Sequence, residues 1–175
     1  MAVKQFDLSA GQRAERKLLI TVAEWTEGES QVREILGTRT PDSSIEYNPE
    51  IETSTDILGI NYTDINRTQP QQDFDPYLVL GGSKLGAKLN DIRKRNALSE
   101  LNQFTLYIIT AFIGNAESGY EAEKHVNCTI TYNSMGGESN VNFPISVYFS
   151  NDSVTGKVDK LSDDFTFTQD ATVGG

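Results

Sequence analysis

Residues Ile45–Ile57 read IEYNPEIETSTDI, and their alternation decides the fold class. A strand turns successive side chains to opposite sides. Ile45, Tyr47, Pro49, Ile51, Thr53, Thr55 and Ile57 therefore share one face, and Glu46, Asn48, Glu50, Glu52, Ser54 and Asp56 share the other. Gly59-Ile60-Asn61 supplies a turn. Tyr62–Gln69 (YTDINRTQ) returns with Asp64, Asn66 and Thr68 on one side. The spacing predicts a long hairpin over residues 45–69 with one acid-rich face. Between Glu46 and Asp56 there is no Lys or Arg. The opposite face carries Ile45, Tyr47, Ile51, Ile57 and Ile65, which need a cover. Pro49 cannot donate to a ladder, so an edge or a bulge is expected there.

Outward from this hairpin the pattern stays mostly β. Lys17–Trp25 (KLLITVAEW) is an apolar run of the kind found in buried strands, and Gln31–Leu36 (QVREIL) pairs with it across the polar turn Thr26–Ser30. Phe104–Ile113 (FTLYIITAFI) predicts a central strand. Tyr120–Tyr132 follows, with Val126, Cys128, Ile130 and Tyr132 on one face. Val141–Phe149, interrupted by Pro144, then Val154–Leu161 and Phe165–Thr168 complete about nine strands. One helix is predicted over 83–98: Ser83 is its N-cap, Leu85, Leu89 and Ile92 recur at helical spacing, and Arg93, Lys94 and Arg95 suit its C-terminal dipole. The expected architecture is mainly β, two packed antiparallel sheets in a sandwich or barrel with one flanking helix. One domain spans 1–175, with an N-terminal arm at 1–16 and a polar, glycine-rich tail at 170–175.

Composition narrows the chemistry. The chain has 175 residues, 15 Lys plus Arg, 25 Asp plus Glu and a formal net charge of −10. Its mean hydropathy is −0.42. Such a charge opposes ordinary DNA binding, which relies on cations at phosphates. A single Cys128 leaves no intramolecular disulfide, and a single His125 leaves no multi-histidine metal site. No apolar stretch approaches the roughly 20 residues of a membrane helix. The first residues lack the apolar centre of a signal peptide, so secretion by that route is not expected. On an unbroken strand His125 and Cys128, three apart, face opposite sides, which predicts a surface histidine and a core cysteine rather than a nucleophile pair. Gly81-Gly82-Ser83-Lys84 lacks the spacing of a phosphate loop. Asp163-Asp164 lacks that of a calcium loop. No cofactor, metal site or catalytic residue is expected, and the sequence points away from an enzyme.

The stretch from Ile57-Leu58-Gly59-Ile60 to Asn66-Arg67-Thr68-Gln69-Pro70, then Phe74-Asp75-Pro76-Tyr77 and the helix Lys84–Leu98, resembles the major tail proteins of long-tailed phages of Gram-positive hosts. Cys128–Phe149, with Asn133-Ser134-Met135-Gly136-Gly137 before VNFPISVYF, and Val154–Phe167 are similar too. The resemblance implies a structural virion protein that forms hexameric rings stacked into a tail tube. Such rings assemble in the host cytoplasm around a tape measure protein, between distal tail and tail terminator proteins. They conduct double-stranded DNA during ejection without inserting in the membrane. The tubes of contractile tails and of phage-tail-like bacteriocins share this fold, and many non-contractile relatives carry a further immunoglobulin-like domain, which is not expected here. In a ring the hairpins would close a barrel, with Glu46, Asn48, Glu50, Glu52, Ser54, Asp56, Asp64 and Asn66 facing the bore. Ile45, Tyr47, Ile51, Arg93, Lys94 and Arg95 would meet neighbouring subunits. The competing reading is a monomeric β-sandwich binding or decoration module. That reading calls for aromatics exposed on a sheet face, whereas Trp25 ends an apolar strand.

Overall fold

The computed structural model describes residues 3–171; the ends of the arm and tail, residues 1–2 and 172–175, lie outside them. The described residues form eleven strands, β1 Leu19–Glu27, β2 Ser30–Ile35, β3 Ile45–Glu46, β4 Glu50–Thr55, β5 Asn61–Arg67, β6 Gln71–Phe74, β7 Phe104–Asn115, β8 Gly119–Tyr132, β9 Ile145–Tyr148, β10 Ser153–Val158 and β11 Phe167–Gln169, with one α-helix, α1, at Lys84–Arg95. One antiparallel sheet runs β2-β1-β7-β8-β9-β6-β3, and β8 also pairs β10, which pairs β11. The β4–β5 hairpin stands apart as its own two-stranded sheet. The mainly β class with a single flanking helix is as expected.

Strand β8 serves both halves of the large sheet. Its first half lies between β7 and β10, and its last four residues pair β9. The change of partner falls at Asn127, which has φ 55°. There the ladder to β7 slips from Phe104↔Cys128 to Leu106↔His125, an extra residue that bends the strand. The bulge overturns one expectation. It resets the side-chain parity, so His125 and Cys128 fall on the same face, opposite Leu106 and Phe104. His125 is consequently buried, not on the surface.

Two apolar clusters flank β1 and β7, which explains why their sequences are continuous apolar runs instead of alternating ones. The larger joins Ala23, Trp25, Phe104, Leu106 and Ile108 to Phe74, Ile130, Ile145 and Val147 of the other half and to Leu85, Leu89 and Ile92 of α1. The second packs Val22, Tyr107, Ile109 and Ala122 under Val158 and Phe165. A buried polar bridge links the sheet halves: Thr21 Oγ1 donates to Gln72 Oε1 at 2.6 Å, and Gln72 Nε2 donates to Ser43 Oγ at 3.0 Å. Beneath the second cluster the buried Glu24 carboxylate accepts from Arg33 Nε at 2.5 Å and from the Tyr107 hydroxyl at 3.2 Å. Burial, reinforced by the Glu24 charge, pushes the Tyr107 phenol up to about 12.

Helix α1 starts as its sequence predicts, with Ser83 Oγ accepting from Gly86 N at 3.2 Å. A second anchor comes from β2. The Glu34 carboxylate accepts from the backbone N–H of Lys84 and Leu85 and from the hydroxyls of Tyr77 and Ser83. It thereby satisfies two of the orphan donors of the first turn and places a negative charge at the positive end of the helix dipole. The helix ends three residues before the expected Leu98, because Asn96 turns left-handed (φ 53°) and closes it. Hydrogen bonds to a charged group each contribute about 1.5–3 kcal/mol. Glu34→Ala is therefore expected to lower the unfolding free energy by about 2–3 kcal/mol. Urea titration checks this, with Glu34→Gln recovering part of the loss; a change below about 0.5 kcal/mol would show that α1 does not depend on this carboxylate.

Candidate assembly surface

The stretch predicted as one strand over 45–57 is two strands. Ile45–Glu46 joins the edge of the large sheet, pairing Gln72 and Gln71 of β6. The chain then breaks at Asn48, with φ 42°, and Pro49. Asn48 Nδ2 turns back to donate to the carbonyls of Gln69 (3.1 Å) and Glu46 (3.4 Å). Gln69 N donates to Tyr47 O at 2.8 Å, so this bend clamps the two legs where the hairpin leaves the sheet. Pro49 sits at the disruption its chemistry foretold.

Beyond the clamp, β4 and β5 pair Ile51↔Ile65, Glu52↔Asp64, Thr53↔Thr63, Ser54↔Tyr62 and Thr55↔Asn61. Directly opposed residues share a face, so Ile51, Ile65, the threonines and Asn61 form one side. Glu52, Asp64, Ser54 and Tyr62 form the other. Between Ile51 and Glu50 the partner jumps from Ile65 to Arg67, leaving Asn66 as an extra residue. A bulge of this kind turns two neighbouring side chains toward one face. Asn66 Nδ2 reaches Glu52 Oε2 at 3.2 Å, and Arg67 Nε reaches Glu50 Oε2 at 2.6 Å. Glu50 is thus neutralised from the return strand, and Glu52 with Asp64 is the bare acidic pair at the centre of the row.

The tip is built by Asp56. Its Oδ1 accepts from the N–H of Leu58 (2.8 Å) and Ile60 (2.9 Å), while its carbonyl accepts from Gly59 N at 3.0 Å. Gly59, at φ 77°, occupies a conformation that costs an L side chain strain. This cage displays Ile57, Leu58 and Ile60 to solvent, with Ile57 fully exposed.

The hairpin is exposed along its whole length, only Ser54 being half-buried. Half of the exposed large apolar and aromatic side chains of the described residues sit on it or its clamp: Tyr47, Ile51, Ile57, Leu58, Ile60, Tyr62 and Ile65. Both outer edges of β4 and β5 lack a strand partner.

The remaining sequence-predicted residues fall elsewhere. Ile45 is half-buried against the large core, and Glu46 belongs to the sheet edge beyond which the chain bends away from the hairpin. Asn48 spends its side chain on the clamp and Asp56 on the tip. Along α1, Arg95 is bound within its own chain, to Asp91 at 2.7 Å and Glu100 at 2.9 Å. The Arg95 hydrogen bond, with that of Lys88, holds the Glu100 carboxyl down at about 2. Arg93 bonds Asn90, and among the described residues neither Arg93 nor Lys94 makes an ion pair. Of the three predicted contact cations these two stay free. The exposed tip and the two bulges had no signal in the residue pattern beyond the Gly59 turn.

The single cysteine and histidine, though on one face, do not form a nucleophile pair. Burial pushes the Cys128 thiol up, and its sulfur faces His125 O and Ser150 N. Both imidazole nitrogens are engaged elsewhere, by Ser150 O and Glu123. Among the described residues no group of three or more His, Cys, Asp and Glu is placed to hold a metal ion, and no helix is long and apolar enough to cross a membrane.

No family model matches the sequence, and no curated protein matches it. Among solved structures the chain is similar to one in the sheath–tube complex of PVC, an extracellular contractile injection system in its extended state. There the TM-score is 0.46 at 12% identity, covering 85% of this chain and 94% of that one. It is also similar to a chain in the six-fold symmetrised baseplate of the anti-feeding prophage AFP, with a TM-score of 0.43 at 10% identity, covering 88% of this chain and all of that one. At 10–12% identity this is a likeness of fold.

The Asp56 cage is expected to hold the tip without supporting the rest of the molecule. Each of its two side-chain bonds contributes about 1 kcal/mol. Asp56→Ala should accelerate amide exchange at Leu58 and Ile60 by roughly fivefold or more and leave the global unfolding midpoint within about 0.5 kcal/mol of the parent. Hydrogen exchange followed by NMR reads both; unchanged exchange at the two amides would mean that another contact fixes the tip.

Proposed function

We propose that this chain is a structural subunit whose copies join through the β4–β5 hairpin to build a tube. The observation that carries the reading is the hairpin itself: two unpaired edges, an apolar side and an apolar tip, on a strand pair that stands off its own domain. An exposed edge is a template for another chain, and a ring of hairpins paired side by side closes such edges into a barrel. Pairing side by side leaves each hairpin one face toward the bore and one toward the surrounding domains. The apolar side with Ile51 and Ile65 is the one that gains from being covered. The row with Glu52, Asp64, Asn66 and the Glu50–Arg67 pair, flanked by Ser54, then faces the bore.

A bore lined in this way suits a duplex that must pass and not stick. Carboxylates repel phosphates, and at physiological salt the repulsion reaches about 8 Å from the wall. The Glu50–Arg67 pairs moderate the self-repulsion of the wall, leaving the Glu52–Asp64 pairs as its negative rings. The sequence resemblance to phage major tail proteins supports a hexameric ring, stacking of rings around a tape measure protein, and double-stranded DNA as the passenger. Exposed Tyr47, together with the free cations Arg93 and Lys94, falls to contacts between subunits. The reading is of a scaffold in a virion tail and not of a catalyst.

Sedimentation of the concentrated protein, with negative-stain electron microscopy of the same sample, tests this. Rings or hollow tubes are expected from the parent. Ile51→Asp and Ile65→Asp, on exposed positions, should keep the parent's thermal unfolding and lose assembly. Assembly undiminished by both substitutions would overturn the hairpin as the joining element. In assembled particles Glu50→Lys with Glu52→Lys should preserve the tube and impair DNA passage, and normal ejection would overturn the acidic bore.

A further inference from the structure

We propose that His125 is held as an imidazolium that clasps the turn between β9 and β10 onto β8, so that the seating of the hairpin base depends on one proton. The ring is nearly inaccessible, 6% exposed, and packs edge-on to Phe149 at 5.3 Å between centroids. Its Nδ1 lies 2.8 Å from the Ser150 carbonyl oxygen and its Nε2 lies 3.3 Å from Glu123 Oε2. Both partners are acceptors. A neutral imidazole has one N–H and one lone pair, so it can serve one of them and turns its lone pair on the other. Only the cation donates to both. Both acceptors are half-buried, with the Glu123 side chain 46% exposed, so the preference comes from charge. A neutral ring would turn a lone pair on the Ser150 carbonyl or on the Glu123 carboxylate, and a carboxylate 3.3 Å from Nε2 favours the protonated ring.

The charges around the ring agree. Glu123 lies on the same strand. The opposing stretch of β7, Phe104–Ile109, holds no charged residue, and the turn holds Asp152. On β10 the facing residue is Ser153. Lys124, the neighbouring cation, points away over the Tyr107 ring at 5.9 Å. Burial works to lower the His125 pKa, and the bonds to Glu123 and Ser150 outweigh it, so the net shift is upward from 6.5.

The clasped turn reaches the hairpin base. Ser150 Oγ donates to Val126 O, and Val126 N donates to Asp152 O at 3.1 Å, which ties the turn to the β8 bulge. On its other side Phe149 N donates to Pro70 O at 3.0 Å and Asn151 Nδ2 to Thr68 O at 3.5 Å. Thr68–Pro70 is the segment through which β5 returns to the sheet. His125, the β9–β10 turn and the hairpin exit therefore form one hydrogen-bonded chain. A histidine whose folded pKa lies above its unfolded value gives its full contribution below about 6.5 and loses it as pH rises through the folded pKa. A neutral ring with its proton on Nδ1 still serves Ser150 O, but without the charge that strengthens the bond, so the clasp is tightest in mild acid and loosens toward alkaline pH, whether or not a second copy covers the hairpin.

His125 is the only histidine, so its titration is free of overlap. Nitrogen-detected NMR of the ring in the full-length protein should show both nitrogens protonated at pH 6.5 and a midpoint above 6.5. Glu123→Gln should lower the midpoint with the fold intact. Amide exchange at Phe149, corrected for its intrinsic pH dependence, should rise by roughly fivefold or more across the transition. In His125→Gln, which donates from one side only, that step should vanish. A single protonated nitrogen at pH 6.5, a midpoint at or below 6.5, or exchange at Phe149 that ignores the titration would each overturn the proposal.

Discussion

Strand β8 has to serve two halves of one sheet, and it does so by one residue in a left-handed conformation. Asn127 at φ 55° lies between His125, the last residue of β8 paired with β10, and Thr129, the first paired with β9, while β7 keeps its pairing through Cys128. Asparagine tolerates this region better than other side chains of its size. Everything toward the hairpin hangs on that bend. β9 takes its register from the last four residues of β8, β6 from β9, and β3 from β6. The legs of the hairpin leave from β3 and return into β6. The larger core closes because the bend brings Ile130, Ile145 and Val147 to the face where Leu106 and Ile108 already wait for α1.

Two polar devices keep this bent sheet from sliding. Thr21, Gln72 and Ser43 cross the interior between β1 and β6, and their donors and acceptors are matched, as buried polar groups require. Glu34 fastens the helix that fills the space between the sheet halves. Arg33, one residue earlier on the same strand, points to the opposite face, where it holds Glu24 and donates to the Phe165 carbonyl while its guanidinium lies 4.3 Å from the Phe165 ring. Removing one partner of such a buried pair leaves a charge uncompensated, which is the costly way to break it. β2 is an edge strand, yet its two charged neighbours secure α1 on one side and the Phe165 segment on the other.

The parts of this arrangement that were legible in the sequence are those carried by local chemistry. Ser83 ahead of Leu85, Leu89 and Ile92 marks a helix start, and the unbroken apolar runs of β1 and β7 mark strands covered on both faces. Pro49 marks the break it makes. What escaped is parity. A bulge inserts one residue without any change of composition, so Asn127 reverses the side of His125, and Asn66 turns Arg67 onto the acidic row. Strand β6, QQDF, also escaped, because its inward pair is Phe74 with Gln72, and Gln72 is tolerated inside only through partners distant in sequence. Asn96 did carry a signal for the end of α1, masked by Ala97 and Leu98 continuing an apolar rhythm. On the hairpin Glu52 and Asp64 share one face, as their alternation implies, while Glu46, Asn48 and Asp56 serve the sheet edge, the clamp and the tip.

An isolated pair of strands is marginal in water, and this one is held by its own connections: the clamp at Asn48 and Gln69, the Thr55–Asn61 bond at 2.6 Å, the Glu50–Arg67 pair and the Asp56 cage. Such pre-organisation lowers the entropy lost when a partner is engaged. It also carries a hazard, since ordered free edges beside Ile51 and Ile65 pair with whatever strand arrives. The Glu52–Asp64 pair counters that hazard. Like charges directly opposed weaken the hairpin slightly, but in a second copy brought alongside they are repeated, and charge on an edge is a known brake on edge-to-edge pairing. The repulsion extends only over the screening length, whereas the backbone bonds and apolar contact act at touching distance. In the proposed assembly the same carboxylates would therefore slow encounter between free subunits and cost comparatively little once the edges have met. In the proposed tube, growth would be favoured where a ring already holds hairpins in register, and the acidity that suits the wall of its bore would also restrain subunits from pairing before one exists.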